Sequence, residues 1–320
     1  MVVQNDVLSV ESTRTAYRTT GYALFSIVVV LLPYLVLVSA FPIARTDWFV
    51  RKAPNSYLAN LGYGLTLANC DCSVVIYGDS GAMTGIDPWV IENATGLKAC
   101  NIAENGGVFM RDQTLIPDQF LLHNKPPQFV VFLFSHSDLA LYTELPRFVA
   151  YEAILLHLRF LPASDTWATL IRHPSDTFDF MTSTLHLAAR GIVRKGLSPK
   201  DMNSRQAHRG IYKVNAPPMS VCPSPPTRQI HDPDAAWIRQ LRQKYSRGGT
   251  RVIVDVTPVP ECATTYAYYD YYAALVHGLT DNDLERWPLA MFDTTAHFAP
   301  AGVKRLSESI ARQIKMSAGS

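Results

Sequence analysis

The feature that most limits what this chain can become is a stretch without charge. Between Arg18 and Arg45 there is no Asp, Glu, Lys or Arg, and the apolar core runs from about Tyr22 to Phe41. A bilayer holds no water to satisfy peptide groups, so a single spanning segment must be helical. As a helix this core reaches about 30 Å, the thickness of the hydrocarbon layer. Pro33 falls mid-run, which a membrane helix accommodates as a kink. A cleavable signal peptide would have a shorter apolar region, and Val38-Ser39-Ala40 is only a passable cleavage site. A buried core helix is rarely charge-free for so long. The span therefore reads as a retained anchor, residues 22–44, behind a short tail at 1–21. Flanking charge leaves the orientation open: Arg14 and Arg18 precede the span, while Arg45, Arg51 and Lys52 follow it. No second span of comparable length follows, so the simplest arrangement has the tail inside and the rest outside.

Residues 45–70 read as a juxtamembrane connector, and 71–320 as one large domain. The formal net charge of +2 and the lack of a long basic run exclude nucleic acid as the partner class. Histidine and cysteine spacings suggest no metal site, and no cofactor motif is present. The five cysteines have two readings: buried free thiols, or one or two disulfides in an oxidising compartment. In the second reading Cys100 pairs with Cys70 or Cys72 across the starts of neighbouring strands, and Cys222 pairs with Cys262.

Beyond the connector, short apolar runs alternate with helical patterns. Strands are predicted at about 73–77, 98–103, 128–134, 251–256 and 288–292. The run Gln128 to Phe134 is continuously apolar, as in a strand covered on both faces. Helices are predicted at about 86–95, 111–122, 233–246, 264–278 and 300–315, the third capped by Asp232 and ended by Gly248-Gly249. Residues about 140–200 break the alternation. They carry Leu, Phe, Ala and His at helical spacing and read as a helical insertion: covering helices, a lid, a partner surface, or a part lying against the membrane. The alternation itself predicts an α/β fold with a mostly parallel sheet and helices on both faces.

Parallel strands place their carboxyl ends on one edge, where ligands bind in open α/β sheets. Four strand exits carry polar residues there: Gly78-Asp79-Ser80, Asn101 to Gly107, Ser135-His136-Ser137-Asp138, and Asp293 to His297. A serine hydroxyl is a weak nucleophile unless an imidazole takes its proton as it attacks. A carboxylate then holds the imidazole in the right tautomer, and backbone amides face the developing oxyanion. Each residue also has a plain structural role available. Gly-Asp-Ser is a common turn, Asp79 suits a hydrogen-bonding turn residue, His297 suits a cap or a packing residue, and His136 suits a loop. The order of the set points to acyl transfer: serine early, glycine block next, Asp and His just before the final helix.

In these blocks the chain resembles the SGNH/GDSL hydrolases, in particular the membrane-anchored extracytoplasmic branch associated with polysaccharide O-acylation. The resemblance covers roughly residues 70–315, apart from the insertion. It implies a three-layer, flavodoxin-like sheet fold. It implies Ser80 as nucleophile and His297 as general base; either Asp293 orients the imidazole from a loop one residue longer than usual, or the site is a Ser80–His297 dyad. It also implies an oxyanion hole from the Ser80 and Gly106 amides, with Ser137 as a third donor. Two positions depart from the family pattern. Ser137 stands where the third block has asparagine, and Asp293 precedes His297 by four residues rather than three. The implied activity is that of a serine esterase or O-acyltransferase, single-pass in a bacterial inner membrane with its domain periplasmic. It would act on an acylated or acyl-accepting exported polysaccharide, beside a membrane acyltransferase or polysaccharide synthase complex. The alternative is a non-catalytic component of such a complex with the same fold.

Overall fold

The computed structural model describes residues 4–52, 62–104, 114–135, 139, 154–155, 158–160, 163–172, 174–193, 205, 207–212, 216–222, 232–262, 267–294 and 297–319. Most of the apolar span lies in α1 (Gln4–Val38), with Pro33 inside it. The stretch Tyr17–Ala44 is long and apolar enough to cross a membrane, and only 6% of its apolar window is buried. Two short helices follow, α2 (Ala40–Ala44) and α3 (Asp47–Lys52).

Four strands form one parallel sheet in the order β2-β1-β3-β4: β1 (Val74–Gly78), β2 (Ala99–Asn101), β3 (Phe129–Phe134) and β4 (Arg251–Val256). In register, Ile76 pairs with Asn101 on one side and Val131 on the other, and Val131 pairs with Ile253. Side chains alternate faces along a strand. Val75, Tyr77, Val130, Phe132, Phe134 and Val254 enter one apolar cluster, while Val74, Ile76, Phe129, Val131, Leu133 and Ile253 enter the other. Both faces are thus covered, which is why these strands read as unbroken apolar runs rather than alternating ones.

On the first face lie α6 (Leu115–His123), through Ile116 and Phe120, and α9 (Ala235–Tyr245), whose Trp237 ring sits 5.5 Å from Phe134. On the second lie α4 (Ser80–Gly85), α5 (Pro88–Thr95) and the final helix α11 (Pro300–Ala318). The described helices of the insertion are α7 (Ala163–Arg172) and α8 (Pro174–Val193); α10 (Ala267–Val276) is the Tyr-rich helix.

Two expectations shift. Asp232 does not cap α9; Asp234 does, accepting from the Ala236 and Trp237 amides at 2.9 Å each. The cap must lie two to three residues ahead of the amides it serves. Asp232 instead accepts from the Tyr271 hydroxyl at 3.2 Å. The last strand is not 288–292. Pro288 cannot donate to a ladder, and Leu289–Met291 coil into a 3₁₀ turn. Pairing occurs just before it, where β6 (Arg286–Trp287) joins β5 (Val259–Pro260) in a separate two-stranded ladder.

The stretch 45–70 contains more than a tether. Ala44, Phe49 and Val50 are fully buried, and Phe49 belongs to the first-face core. Two disulfides, Cys72–Cys100 and Cys222–Cys262, close the structure, and Cys70 remains a half-buried thiol. The first ties the starts of β1 and β2.

Candidate active site

The site begins where β1 stops. Gly78 lies opposite Leu133 of β3, and a Cβ at Gly78 would sit 1.8 Å from the Leu133 carbonyl oxygen. Only glycine lets the two strands approach this closely. Asp79 then leaves the strand extended, with its carboxylate fully buried. One oxygen accepts from the Gly81 amide at 2.7 Å and the Ala82 amide at 3.4 Å, capping α4. The other accepts from the Ser135 amide at 2.5 Å and from the Ser135 hydroxyl. Asp79 is therefore the turn residue the sequence suggested, and it also clamps the exit of β3 to that of β1. Ser80 is the first residue of α4, partly exposed. It stands between β1 and β3, where the strand order leaves β1 for β2 on one side and for β3 on the other. Crevices of doubly wound sheets open at such reversals.

The second block runs beside this turn. The Ile102 amide donates to Ile76 and the Glu104 amide donates to the Gly78 carbonyl at 3.0 Å. Asn101, fully buried, donates through Nδ2 to the carbonyls of Ala82 (2.8 Å) and Ile86 (3.1 Å). Its Oδ1 accepts from the Ala103 amide at 3.0 Å. Asn101 thus fixes α4, and with it Ser80, relative to β2. Gly106 and Ser137 lie outside the described residues, as do His136 and Asp138.

Arg205 carries no signal of its own in the sequence, since it sits in a stretch without helical or strand periodicity. It is fully buried under the second block. Its guanidinium donates to the carbonyls of Gly210 (2.7 Å), Ala103 (3.0 Å) and Asn101 (3.3 Å). It lies 3.7 Å from the Glu104 carboxylate and 4.7 Å from the Tyr63 ring centre. Burial pushes Glu104 up to about 8, with the Arg205 charge opposing, and pushes Tyr63 up to about 12. Gly210 has φ +102°, and a Cβ there would lie 1.7 Å from the Asn101 carbonyl oxygen. The one hint in the sequence is Glu104 itself, an acid directly behind an apolar strand.

The two ends of the last block are drawn together. Phe292 and Phe298 form an antiparallel bridge, and the Asp293 amide donates to the His297 carbonyl at 3.2 Å. The His297 amide donates to the Thr294 hydroxyl at 3.0 Å. Phe298 reaches the far end of α4: a Cβ on Gly85 would lie 2.7 Å from its ring. The loop bearing His297 therefore packs against the helix that Ser80 begins. Side-chain contacts among Ser80, His297 and Asp293 are not made among the described residues. Both oxygens of the Asp293 carboxylate are shielded from solvent without a hydrogen-bond partner. A shielded carboxylate is costly unless it is paired or hydrogen-bonded. The histidine whose backbone it already touches is a suitable donor.

Elsewhere, the sulfurs of Cys70, Cys72 and Cys100 lie within 4.8 Å of one another. The Cys72–Cys100 bond leaves one thiol there, and its Sγ lies 3.0 Å from Asn124 Oδ1. Burial raises that thiol above the usual cysteine range. No family model, curated protein or solved structure matches this chain.

Proposed function

We propose that the protein is a membrane-anchored serine esterase or O-acyltransferase of SGNH type. The observation that carries this is the position of Ser80. It opens a helix at the reversal point of a parallel sheet, in a turn clamped by Asp79 and Asn101, against the loop that bears His297. In the proposed reaction Ser80 Oγ attacks the acyl carbonyl carbon while the His297 ring takes the hydroxyl proton. The oxyanion is met by the Ser80 and Gly106 amides and the Ser137 hydroxyl. Collapse breaks the ester bond, and the leaving alkoxide recovers the proton from His297. The acyl-enzyme then passes its acyl group to water, giving an esterase, or to a sugar hydroxyl, giving a transferase. Asp293 orients His297 once its unpaired oxygens meet the imidazole N–H. The uncharged span and two disulfides fit a domain held at the outer face of a bacterial inner membrane, working on an exported polysaccharide.

The unpaired Asp293 carboxylate also favours a second reading, a non-catalytic member of a polysaccharide synthesis or export complex with this fold. Hydrolysis of a chromogenic acetyl ester separates the two. For an enzyme, Ser80→Ala and His297→Ala each lower kcat/KM by about 10³-fold or more. Equal turnover in wild type and both variants rejects catalysis at this site.

A further inference from the structure

The described part of the insertion carries large apolar groups into solvent. Trp167 is 62% exposed, Ile171 75% and Phe178 53%, whereas Leu170 between them is buried. Trp167 and Ile171 are four residues apart on α7 and share one face of it. Apolar patches of this kind mark a contact with something other than water.

The hairpin is held at one level relative to the anchor. Helix α8 packs against both α1 and α2. The Phe180 ring lies 6.4 Å from that of Phe41, which stands just past the end of α1. The Thr177 hydroxyl donates to the Leu170 carbonyl at 3.1 Å, joining the first turn of α8 to the last turn of α7. Phe178 adjoins Thr177, and Ile171 adjoins Leu170. Arg159 closes the same region, donating to the carbonyls of Arg45 (3.0 Å) and Ala44 (3.4 Å) and pairing with Asp47 at 2.5 Å. The exposed groups therefore sit where the chain leaves α1, whose apolar window is itself almost bare of protein.

We infer that the α7–α8 hairpin rests in the interfacial layer of the bilayer that α1 spans, with Trp167, Ile171 and Phe178 at the headgroup–acyl boundary. The inference rests on the anchor reading. The occupant is lipid because the patch is continuous with the lipid-facing helix. Tryptophan with branched apolar neighbours suits that layer, and the exposed Arg172 is available to lipid phosphates. A second attachment of this kind stops the domain from swivelling about α1.

The test uses the full chain in phosphatidylcholine vesicles with bromine on the acyl chains. Wild-type tryptophan emission is compared with that of Trp167→Phe, which leaves four tryptophans in place. Bromolipid should quench a larger fraction of wild-type emission, and the emission lost on substitution should resist aqueous acrylamide. Equal bromolipid quenching in the two proteins, with Trp167 open to acrylamide, overturns the inference. Alkaline carbonate extraction of the same vesicles tests the anchor separately. Release of the protein rejects the anchor reading and this inference with it, whereas retention with a water-quenched Trp167 rejects the hairpin contact alone.

Discussion

Asp79 and Asp255 are both buried aspartates at strand exits, and their donors differ. Asp79 accepts from three backbone amides and a hydroxyl at the turn where Ser80 is set. Asp255, on β4, accepts from the Val256 amide (2.9 Å), Asn282 (2.9 Å) and Gln313 (2.7 Å). Burial, with Asp281 and Glu285 nearby, pushes Asp255 up to about 8. In the unfolded chain it titrates near the ordinary aspartate value, about 4. Between those values the folded state holds the extra proton, so the Asp255 contribution is full below about pH 4 and is lost as the pH rises toward 8. Thermal unfolding at pH 5 and pH 8 should show this. Asp255→Asn should shrink the stability difference between the two conditions by more than about 1 kcal/mol, and an unchanged difference would contradict it. The motif-bearing residues at this scale were legible because Gly-Asp-Ser marks a turn by residue type alone. Arg205 was not, because a buried cation is chosen by the carbonyls around it, and these come from Asn101, Ala103 and Gly210, far apart in sequence or off its own loop.

The four strands of the main sheet were readable because burial on both faces writes itself as apolar runs, seen best in Phe129–Phe134. Helix starts were readable where a proline fixed them, as at Pro88 and Pro300, whereas α9 ends on Ser246, ahead of the Gly248-Gly249 pair. The sequence pattern places the last strand too late because residues 288–292 are apolar in either form, and the proline at 288 decides the outcome by withholding a donor. The segment after the anchor reads as a connector because it is short and mixed. Its burial depends on what packs over it. Phe49 lies in the first-face core with no exposed surface. Truncating it leaves a cavity, so Phe49→Ala should destabilise the domain by about 3–5 kcal/mol in thermal unfolding. A loss under about 1 kcal/mol would mean that α3 docks loosely and the anchor is flexibly tethered.

Across the fold, a helix with a long uncharged span leads into helices that belong to the domain core, and the parallel sheet behind them gathers its polar strand exits on one edge. Architecture at this level followed from the order of apolar and polar segments. The coupling of anchor, insertion and core did not, since it is made by contacts such as Phe41 with Phe180 and Arg159 with Asp47. In the proposed mechanism this edge carries a serine nucleophile activated by His297. Peptide mass spectrometry after treatment of the whole chain with a fluorophosphonate tests this at the serine itself. A single phosphonyl adduct on Ser80 is expected, formed in the wild type and lost in His297→Ala. An unmodified Ser80, or labelling that persists unchanged without His297, would contradict it.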